Sequence, residues 1–129
     1  MRKVLYITYD GLTDPLGQSQ VLPYLKGLSA SGYSITVLSC EKDNRLSQYK
    51  ADIEKICAES NISWHYIPFT RKPPIIAKML DLYRLKKKAF SLHRNQQFSW
   101  IHCRSYIAST IGLKLKKKFK TGFLFDMRD

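Results

Sequence analysis

Residues 3–9, with the sequence KVLYITY, decide the fold class of this chain. They are mostly aliphatic, β-branched or aromatic and show no helical period, which is typical of a strand buried on both faces of a parallel sheet. A loop rich in turn-forming residues follows at 10–17, and from Gln18 apolar residues recur at helical spacing until the segment ends at Ser31-Gly32. A strand that leads through a short loop into a helix predicts the first half of a βαβ unit.

Strands and helices continue to alternate along the rest of the chain. Further strands are predicted at 33–39, 62–67, 99–104 and 122–127, and further helices at 47–59, 75–94 and 105–118. Crossovers between parallel strands are right-handed and build a sheet that is covered on both faces. We therefore expect an α/β fold, a Rossmann-like open and mostly parallel five-stranded sheet with helices on both faces.

The composition fits one folded domain. The 129 residues weigh 15.0 kDa and are 44% hydrophobic, which is enough to fill a single core. Charged residues at 25% and aromatic residues at 12% exclude an intrinsically disordered chain. No apolar run approaches the roughly 20 residues of a membrane-spanning helix, and the N-terminus has no signal-peptide pattern, so a cytoplasmic protein is expected.

The cysteines and histidines indicate no metal site. Cys40, Cys57 and Cys103 are widely spaced and form no Cys-x-x-Cys pair or Cys/His cluster, so we expect buried free thiols. We interpret His93 as an ordinary surface residue. His102, on the fourth predicted strand, is either a half-buried strand residue or a functional group.

The charge balance is strongly basic. Twenty-two Lys and Arg against ten Asp and Glu give a net charge of +12 and a pI near 9.8. This predicts attraction to phosphates on a nucleic acid, an anionic membrane or a phosphorylated substrate. The amphipathic helix at 75–94 is either a basic face turned to solvent or a helix that lies in a membrane interface. The cations that would meet anionic headgroups in the second case are Lys78, Arg84, Lys86, Lys87 and Lys88.

The start of the first helix is a candidate phosphate site. Gly17 lies just before the predicted helix start, so free backbone N–H groups and the positive helix end would face the crevice together with Gln18 and Ser19. The spacing is not the Gly-x-Gly-x-x-Gly fingerprint, and Glu41 is at best a loose substitute for a ribose-binding acid, which disfavours a NAD site. The alternative is a plain strand-to-helix turn in which glycine serves the backbone.

Charged residues also collect where the predicted strands end. The carboxyl ends of parallel strands meet at one edge of the sheet, and ligands bind there in open α/β folds. Besides the segments 40–44 and 69–72, the charged residues expected at this edge are Asp10, Asp14, Arg104, Asp126, Arg128 and Asp129. The arginines at strand ends meet either a ligand or solvent, while the last two aspartates orient those arginines or bind a sugar hydroxyl.

Several of these segments resemble one family of enzymes. The run YDGLTDPLGQSQV at 9–21 and the strand ITVL at 35–38 resemble the start of family 4 glycosyltransferases of the GT-B fold. The segments IHCR at 101–104 and FLFDMRD at 123–129 look like the fourth and fifth strands of that family's bacterial polysaccharide branch. The resemblance covers essentially the whole chain, and its most specific part is the N-terminal loop and helix.

The resemblance implies that residues 1–129 form a single Rossmann-like domain, truncated at its C-terminal end. Such a domain is the acceptor-binding half of a retaining, nucleotide-sugar-dependent hexosyltransferase in cell-envelope or exported polysaccharide synthesis, at the inner face of the cell membrane. Its co-substrate would be a UDP- or GDP-linked sugar, with no other cofactor and no metal, and its acceptor a saccharide or a lipid-linked saccharide. The half alone would be inactive, because the C-terminal donor-binding domain is missing.

The resemblance also assigns roles by position. Gly17, Gln18 and Ser19 match the loop that approaches the donor diphosphate, although the usual double glycine is reduced to one. Arg128 and Asp129 match the sugar-transfer site, where many members carry a histidine. The residues placed on the acceptor side of the cleft are Asp10, Asp14, Arg104 and Asp126.

Two other classes of function stay open at this point. The chain could be a non-enzymatic basic α/β module that binds anionic lipid or nucleic acid. Its aromatic residues are not interleaved with the lysines as in base-stacking platforms, which makes nucleic acid the less favoured ligand. A complete flavodoxin-like or nucleotide-binding protein is disfavoured, because no helix is predicted after the last strand.

Overall fold

The central strand of the sheet is β1 (Lys3–Thr8), the segment from which the fold class was inferred. A computed structural model describes residues 2–119 and 122–126. All of β1 beyond its first residue is buried, as expected for a strand that is covered on both faces. It pairs in parallel with strands on both sides, so the apolar run at the N-terminus becomes the middle of the sheet.

The remaining elements confirm the predicted alternation. In chain order after β1 they are a π-helical segment (Gly17–Val21) that continues as α1 (Leu22–Ala30), β2 (Ser34–Glu41), α2 (Asp43–Glu59), β3 (Ile62–Pro68), α3 (Pro74–Gln96), β4 (Trp100–Arg104), α4 (Ser105–Phe119) and β5 (Gly122–Asp126). The strands form one five-stranded sheet in the order β3-β2-β1-β4-β5. Every neighbouring pair is parallel, which confirms the predicted Rossmann-like α/β fold.

Alternate residues of β1 supply two separate cores. Leu5 and Ile7 pack under α3 and α4, while Val4 and Tyr6 pack under α1 and α2. Successive side chains of a strand point to opposite faces, so one short segment serves both layers. Helices therefore cover both faces, as the sequence predicted.

Helix α2 starts earlier than its apolar pattern indicates. It begins at Asp43, not at Ser47, and places an acidic residue in its first turn, which favours the positive helix end. Arg45 donates from Nε and Nη2 to the Thr13 carbonyl oxygen at 3.0 and 2.7 Å. A contact with the loop after β1 thus holds a first turn that has no apolar period of its own.

The cysteines are buried and free, as predicted. Burial raises the pKa of Cys57 to about 11 and that of Cys103 to about 12, and it also raises the pKa of Cys40. Thiols in this range hold their proton at neutral pH, and the thiolate is the reactive form. All three cysteines therefore act as small apolar core residues.

The interpretation of His93 as a surface residue was wrong. Its side chain is buried near the end of α3, and its Nδ1 accepts a hydrogen bond from the Phe98 backbone N–H at 3.2 Å. The ring also packs against Phe119, with 4.4 Å between the ring centres. Gln97 ends the helix in the left-handed region with φ 54°, so the chain folds back over the histidine.

We expect His93→Asn to reduce the loss of stability in mild acid. Burial lowers the pKa of His93 below 6.5, so the unfolded chain takes up the proton more readily than the folded one. Stability from this group is complete above that pH and falls as the pH drops through it towards the lower folded pKa. Urea unfolding at pH values from about 7.5 to about 5 measures how the free energy of unfolding depends on pH. The asparagine oxygen can still accept a hydrogen bond from the Phe98 N–H, so the substitution keeps that contact.

His65 needs a separate measurement, because burial and the nearby Lys88 lower its pKa as well. His65→Asn measures the contribution of His65 to the pH dependence of the free energy of unfolding. A His93→Asn protein with the same acid dependence as the starting chain would contradict the assignment to His93.

Candidate functional site

The carboxyl ends of all five strands meet at one edge, because the sheet is entirely parallel. The loop after β1, the turn after β2 and the loop after β3 lie along this edge, and β4 runs there directly into α4. This is the edge at which open α/β sheets bind ligands, beside the crevice between strands whose helices lie on opposite faces. Here that crevice lies between β1 and β4.

Asp10 and Arg104 meet across this crevice, a pairing that the sequence did not identify. The Nε of Arg104 donates to Asp10 Oδ2 at 3.2 Å, and Nη2 donates to Gln20 Oε1 at 3.1 Å. The Arg104 side chain is only 3% exposed, whereas that of Asp10 is 38% exposed. A buried guanidinium therefore holds a carboxylate that stays open to the crevice, where it can accept hydrogen bonds from hydroxyl groups.

The backbone at Asp10 is fixed by the last residue of β1. Thr8 Oγ1 accepts a hydrogen bond from the Asp10 N–H at 3.1 Å and donates to the Asp10 carbonyl oxygen at 3.2 Å. Together with Arg104 this leaves the aspartate little freedom of orientation. A functional group that is held in advance loses less entropy when a ligand binds.

Asp14 braces the loop. Its Oδ2 accepts hydrogen bonds from the Gly11 N–H at 3.1 Å and from Lys42 Nζ at 2.9 Å. Its side chain is only 13% exposed. The structure thus turns Asp14 towards β2, while Asp10 turns towards β4.

Gly17 is buried where the first helix packs against its own loop. A Cβ atom at this position would lie 2.0 Å from the Gly11 carbonyl oxygen and 2.8 Å from the Leu12 Cα. The helix already begins before it, since the Gln18 N–H donates to the Asp14 carbonyl oxygen at 2.9 Å. Close backbone packing alone therefore explains the glycine, as in the strand-to-helix alternative raised for this turn.

The two residues after Gly17 differ in their surroundings. Gln18 is half-buried, and its Nε2 donates to the Thr13 carbonyl oxygen at 2.9 Å. Ser19 is exposed. A phosphate role for this segment remains a prediction.

Glu41 was not identified from the sequence as a loop-binding residue, yet it organises the loop after β1. It is fully buried at the end of β2. Its oxygens accept hydrogen bonds from the Leu12 N–H at 2.8 Å, the Thr13 N–H at 3.2 Å and Thr13 Oγ1 at 2.7 Å, and Ser39 Oγ also donates to it. An acid at the end of a buried strand was the available signal, but it does not say what the acid binds.

Asp81 plays the corresponding part for the loop after β3. It is fully buried on α3 and accepts hydrogen bonds from the Thr70 N–H at 3.1 and 3.2 Å and from Tyr9 Oη at 3.2 Å. Burial and the Asp81 charge raise the pKa of Tyr9, so its hydroxyl stays protonated as a donor. Asp81 is the only acid among residues 71–94, a signal that the sequence contained.

His102 belongs to the sheet interior. Only 6% of it is exposed, less than the half-buried position considered for it. Its Nδ1 lies 3.3 Å from Tyr24 Oη, and its ring packs 4.6 Å from that of Tyr6. Its contacts with Tyr6 of β1 and Tyr24 of α1 make it part of the packing between the sheet and α1.

The fifth strand pairs with β4 at the end of the sheet. Asp126 is the parallel register partner of Arg104, so its backbone lies beside the crevice. Arg128 and Asp129 lie outside the described residues. Their assignment to the sugar-transfer site remains an expectation.

We expect Gly17→Ala to destabilise the chain by roughly 1–3 kcal/mol or more, because the added methyl group would collide with the backbone of Gly11. Gly27→Ala is the matched control, since nothing lies within 4 Å of a Cβ at that exposed position in α1. That change should be neutral or stabilising by up to about 1 kcal/mol. Equal effects of the two changes on urea unfolding would contradict the packing argument.

Glu41→Gln should lower the free energy of unfolding by roughly 1–3 kcal/mol. An amide NH₂ group would replace one acceptor oxygen, and a buried N–H or hydroxyl donor would lose its hydrogen-bond partner. Amide hydrogen exchange should also speed up at Leu12 and Thr13, which bond to this side chain. Glu59→Gln, at the exposed end of α2, changes the same charge and should stay within about 0.5 kcal/mol. Unchanged protection of both amides would show that Glu41 does not hold the loop.

In three dimensions the chain is similar to domains of different proteins. The C-terminal domain of PF1911 hydrogenase from Pyrococcus furiosus matches with a TM-score of 0.74 and 17% identity, over 96% of this chain and 90% of that one. The glycotransferase of kitacinnamycin matches with a TM-score of 0.67 and 8% identity, over 95% of this chain and 29% of that one. UGT89C1 of Arabidopsis thaliana, crystallised with UDP-L-rhamnose, matches with a TM-score of 0.61 and 16% identity, over 95% of this chain and 34% of that one.

At these identities the likeness shows the fold alone. The chain spans about a third of the length of the glycosyltransferases that it matches. No protein-family model and no curated protein matches the sequence. Within residues 2–119 and 122–126, no helix combines the length and the apolar content that crossing a membrane requires. The protein therefore has a Rossmann-like fold of the kind that also forms part of glycosyltransferases.

Proposed function

We propose that this chain is the acceptor-binding half of a retaining glycosyltransferase that uses a UDP- or GDP-linked sugar. The observation that carries the proposal is the Asp10–Arg104 pair, which presents a held carboxylate in the crevice between β1 and β4. Fold similarity to glycosyltransferases supports it, including one crystallised with a UDP-sugar. The proposed setting is synthesis of cell-envelope or exported polysaccharide in the cytoplasm, at the inner face of the membrane.

In this proposal Asp10 binds the acceptor. Its carboxylate accepts a hydrogen bond from an acceptor hydroxyl, and Arg104 keeps the carboxylate aimed at the crevice. Holding the attacking hydroxyl in one orientation lowers the entropic part of the barrier to transfer. Arg104 acts through Asp10 and is therefore a positioning residue.

Gly17, Gln18 and Ser19 are proposed to approach the donor diphosphate on the resemblance alone, because the helix begins before Gly17 and the Gln18 N–H already donates to the Asp14 carbonyl oxygen. Arg128 and Asp129 are proposed for the sugar-transfer site on the resemblance alone. Most of the donor contacts would come from a second, donor-binding domain. Because catalysis needs the leaving diphosphate to be stabilised, the 129-residue half should turn over no nucleotide-sugar by itself.

The test uses a protein in which this domain is joined to a second, Rossmann-like donor-binding domain. We expect release of sugar, or its transfer, from a UDP- or GDP-sugar, and NMR of the product reports whether the anomeric configuration is retained. A two-domain protein that is inert to every nucleotide-sugar, yet binds DNA, would overturn the proposal.

Asp10→Asn in the two-domain protein tests the acceptor role. We expect transfer to the acceptor to fall roughly 10- to 100-fold, the effect of weakening a hydrogen bond to a charged group, while hydrolysis of the donor changes little. Asp43→Asn, on the exposed first turn of α2, is the control with the same change of charge. An equal loss of transfer and hydrolysis would place Asp10 on the donor side.

A further inference from the structure

The first half of α3 exposes a continuous row of large apolar side chains, called here the apolar stripe. Its members, which are between 36% and 78% exposed, are Ile75, Ile76, Met79, Leu80 and Tyr83. Spacings of one, three and four residues place them on one face of the helix. The opposite face carries Ala77, Asp81 and Leu85, which are buried against the sheet and its loops.

The same helix face becomes cationic in its second half. A shallow depression of about 160 Å³ lies there, lined by Tyr83, Lys86, Lys87, Phe90 and Arg94. The ammonium group of Lys87 lies 5.7 Å from the centre of the Tyr83 ring, and that of Lys86 lies 5.9 Å from the Phe90 ring. The cations therefore stand beside apolar rings, directly after the apolar stripe.

Every exposed charge on residues 71–94 is positive, because the one acid there, Asp81, is fully buried. The cations predicted to face a membrane do not all share the stripe's face. Lys86 and Lys87 line the cationic depression, whereas Arg84 and Lys88 line a groove with Ile67 of β3 that Lys87 also reaches. Lys78 is exposed near the start of the helix.

We propose that the apolar stripe and the cationic depression dock on the surface of a bilayer that contains anionic phospholipid. The stripe would enter the boundary between headgroups and acyl chains, while Lys86, Lys87 and Arg94 meet lipid phosphates. A second copy of this chain fits less well, since it would bring like-charged faces together at a net charge of +12 each. A nucleic acid would satisfy the cations but leave the isoleucines and the methionine in water.

Docking in this way places the crevice beside the lipid. Asp81 lies on the buried side of the stripe's helix segment and contacts the Tyr9 hydroxyl, one residue before Asp10. The stripe is therefore at the same edge of the sheet as the Asp10–Arg104 pair. This step rests on the proposed function, and it favours a lipid-linked saccharide over a free one as the acceptor.

Sedimentation with vesicles of phosphatidylcholine, with and without about a quarter of phosphatidylglycerol, tests the docking on the 129-residue chain. We expect binding to the anionic vesicles alone, and a partition coefficient that falls about tenfold or more both in Ile76→Ser/Met79→Ser and in Lys86→Glu/Lys87→Glu. Lys26→Glu/Lys55→Glu is the control, with the same change of net charge at exposed sites on α1 and α2. It should bind within about twofold of the starting chain.

Unchanged binding of the Ile76→Ser/Met79→Ser protein would overturn the proposal, because attraction would then be electrostatic only. So would equal losses in the control variant, or a duplex DNA that binds more tightly than the anionic vesicles. Circular dichroism confirms that each variant is folded, which is expected because all the changed side chains are exposed or half-exposed. The assay contains no sugar, so its failure leaves the Asp10 crevice untouched, and an inactive two-domain protein leaves vesicle binding untouched.

Discussion

A buried carboxylate holds the carboxyl edge of this sheet in its shape. Glu41 lies at the end of β2 with no exposed surface and takes the backbone N–H groups of Leu12 and Thr13. Burying a charge is costly unless hydrogen bonds replace its hydration, and here the loop after β1 supplies them. These hydrogen bonds therefore favour one conformation of the loop, and they also fix the backbone on both sides of it.

The neighbouring contacts depend on that loop. Gly17 packs against the Gly11 carbonyl oxygen, so the first helix can approach only where the loop is already in place. Asp10 begins the loop and presents its carboxylate to Arg104 on β4. Glu41 on one side and Arg104 on the other thus connect β2, β1 and β4 through the loop after β1. The crevice lies where this loop meets β4.

Helix α3 serves the same edge from two opposite faces. Inwards, Asp81 accepts hydrogen bonds from the Thr70 N–H in the loop after β3 and from the Tyr9 hydroxyl, so a buried acid again orders a loop. Outwards, the helix exposes the apolar stripe next to lysines and an arginine. The proposal that this outer face meets a bilayer rests on the general association of large exposed apolar patches with interaction sites. The contacts of Asp81 on the inner face place the outer face at the same edge of the sheet as the crevice.

The sequence by itself determined the order of strands and helices, the parallel sheet, the buried cysteines and the basic character of α3. These properties follow from the local hydrophobic period and the composition, and both can be read from neighbouring residues without the rest of the chain. The sequence predicted less well where a local structure depends on distant contacts. Helix α2 begins early because Arg45 reaches Thr13, and His93 is buried because the chain folds back over it.

Only the tertiary structure decided which charged groups meet. Arg104 and Asp10 are 94 residues apart, and Glu41 reaches Leu12 over 29 residues. Their contacts depend on β1 lying between β2 and β4, and no residue pattern within a single strand encodes its neighbours across the sheet.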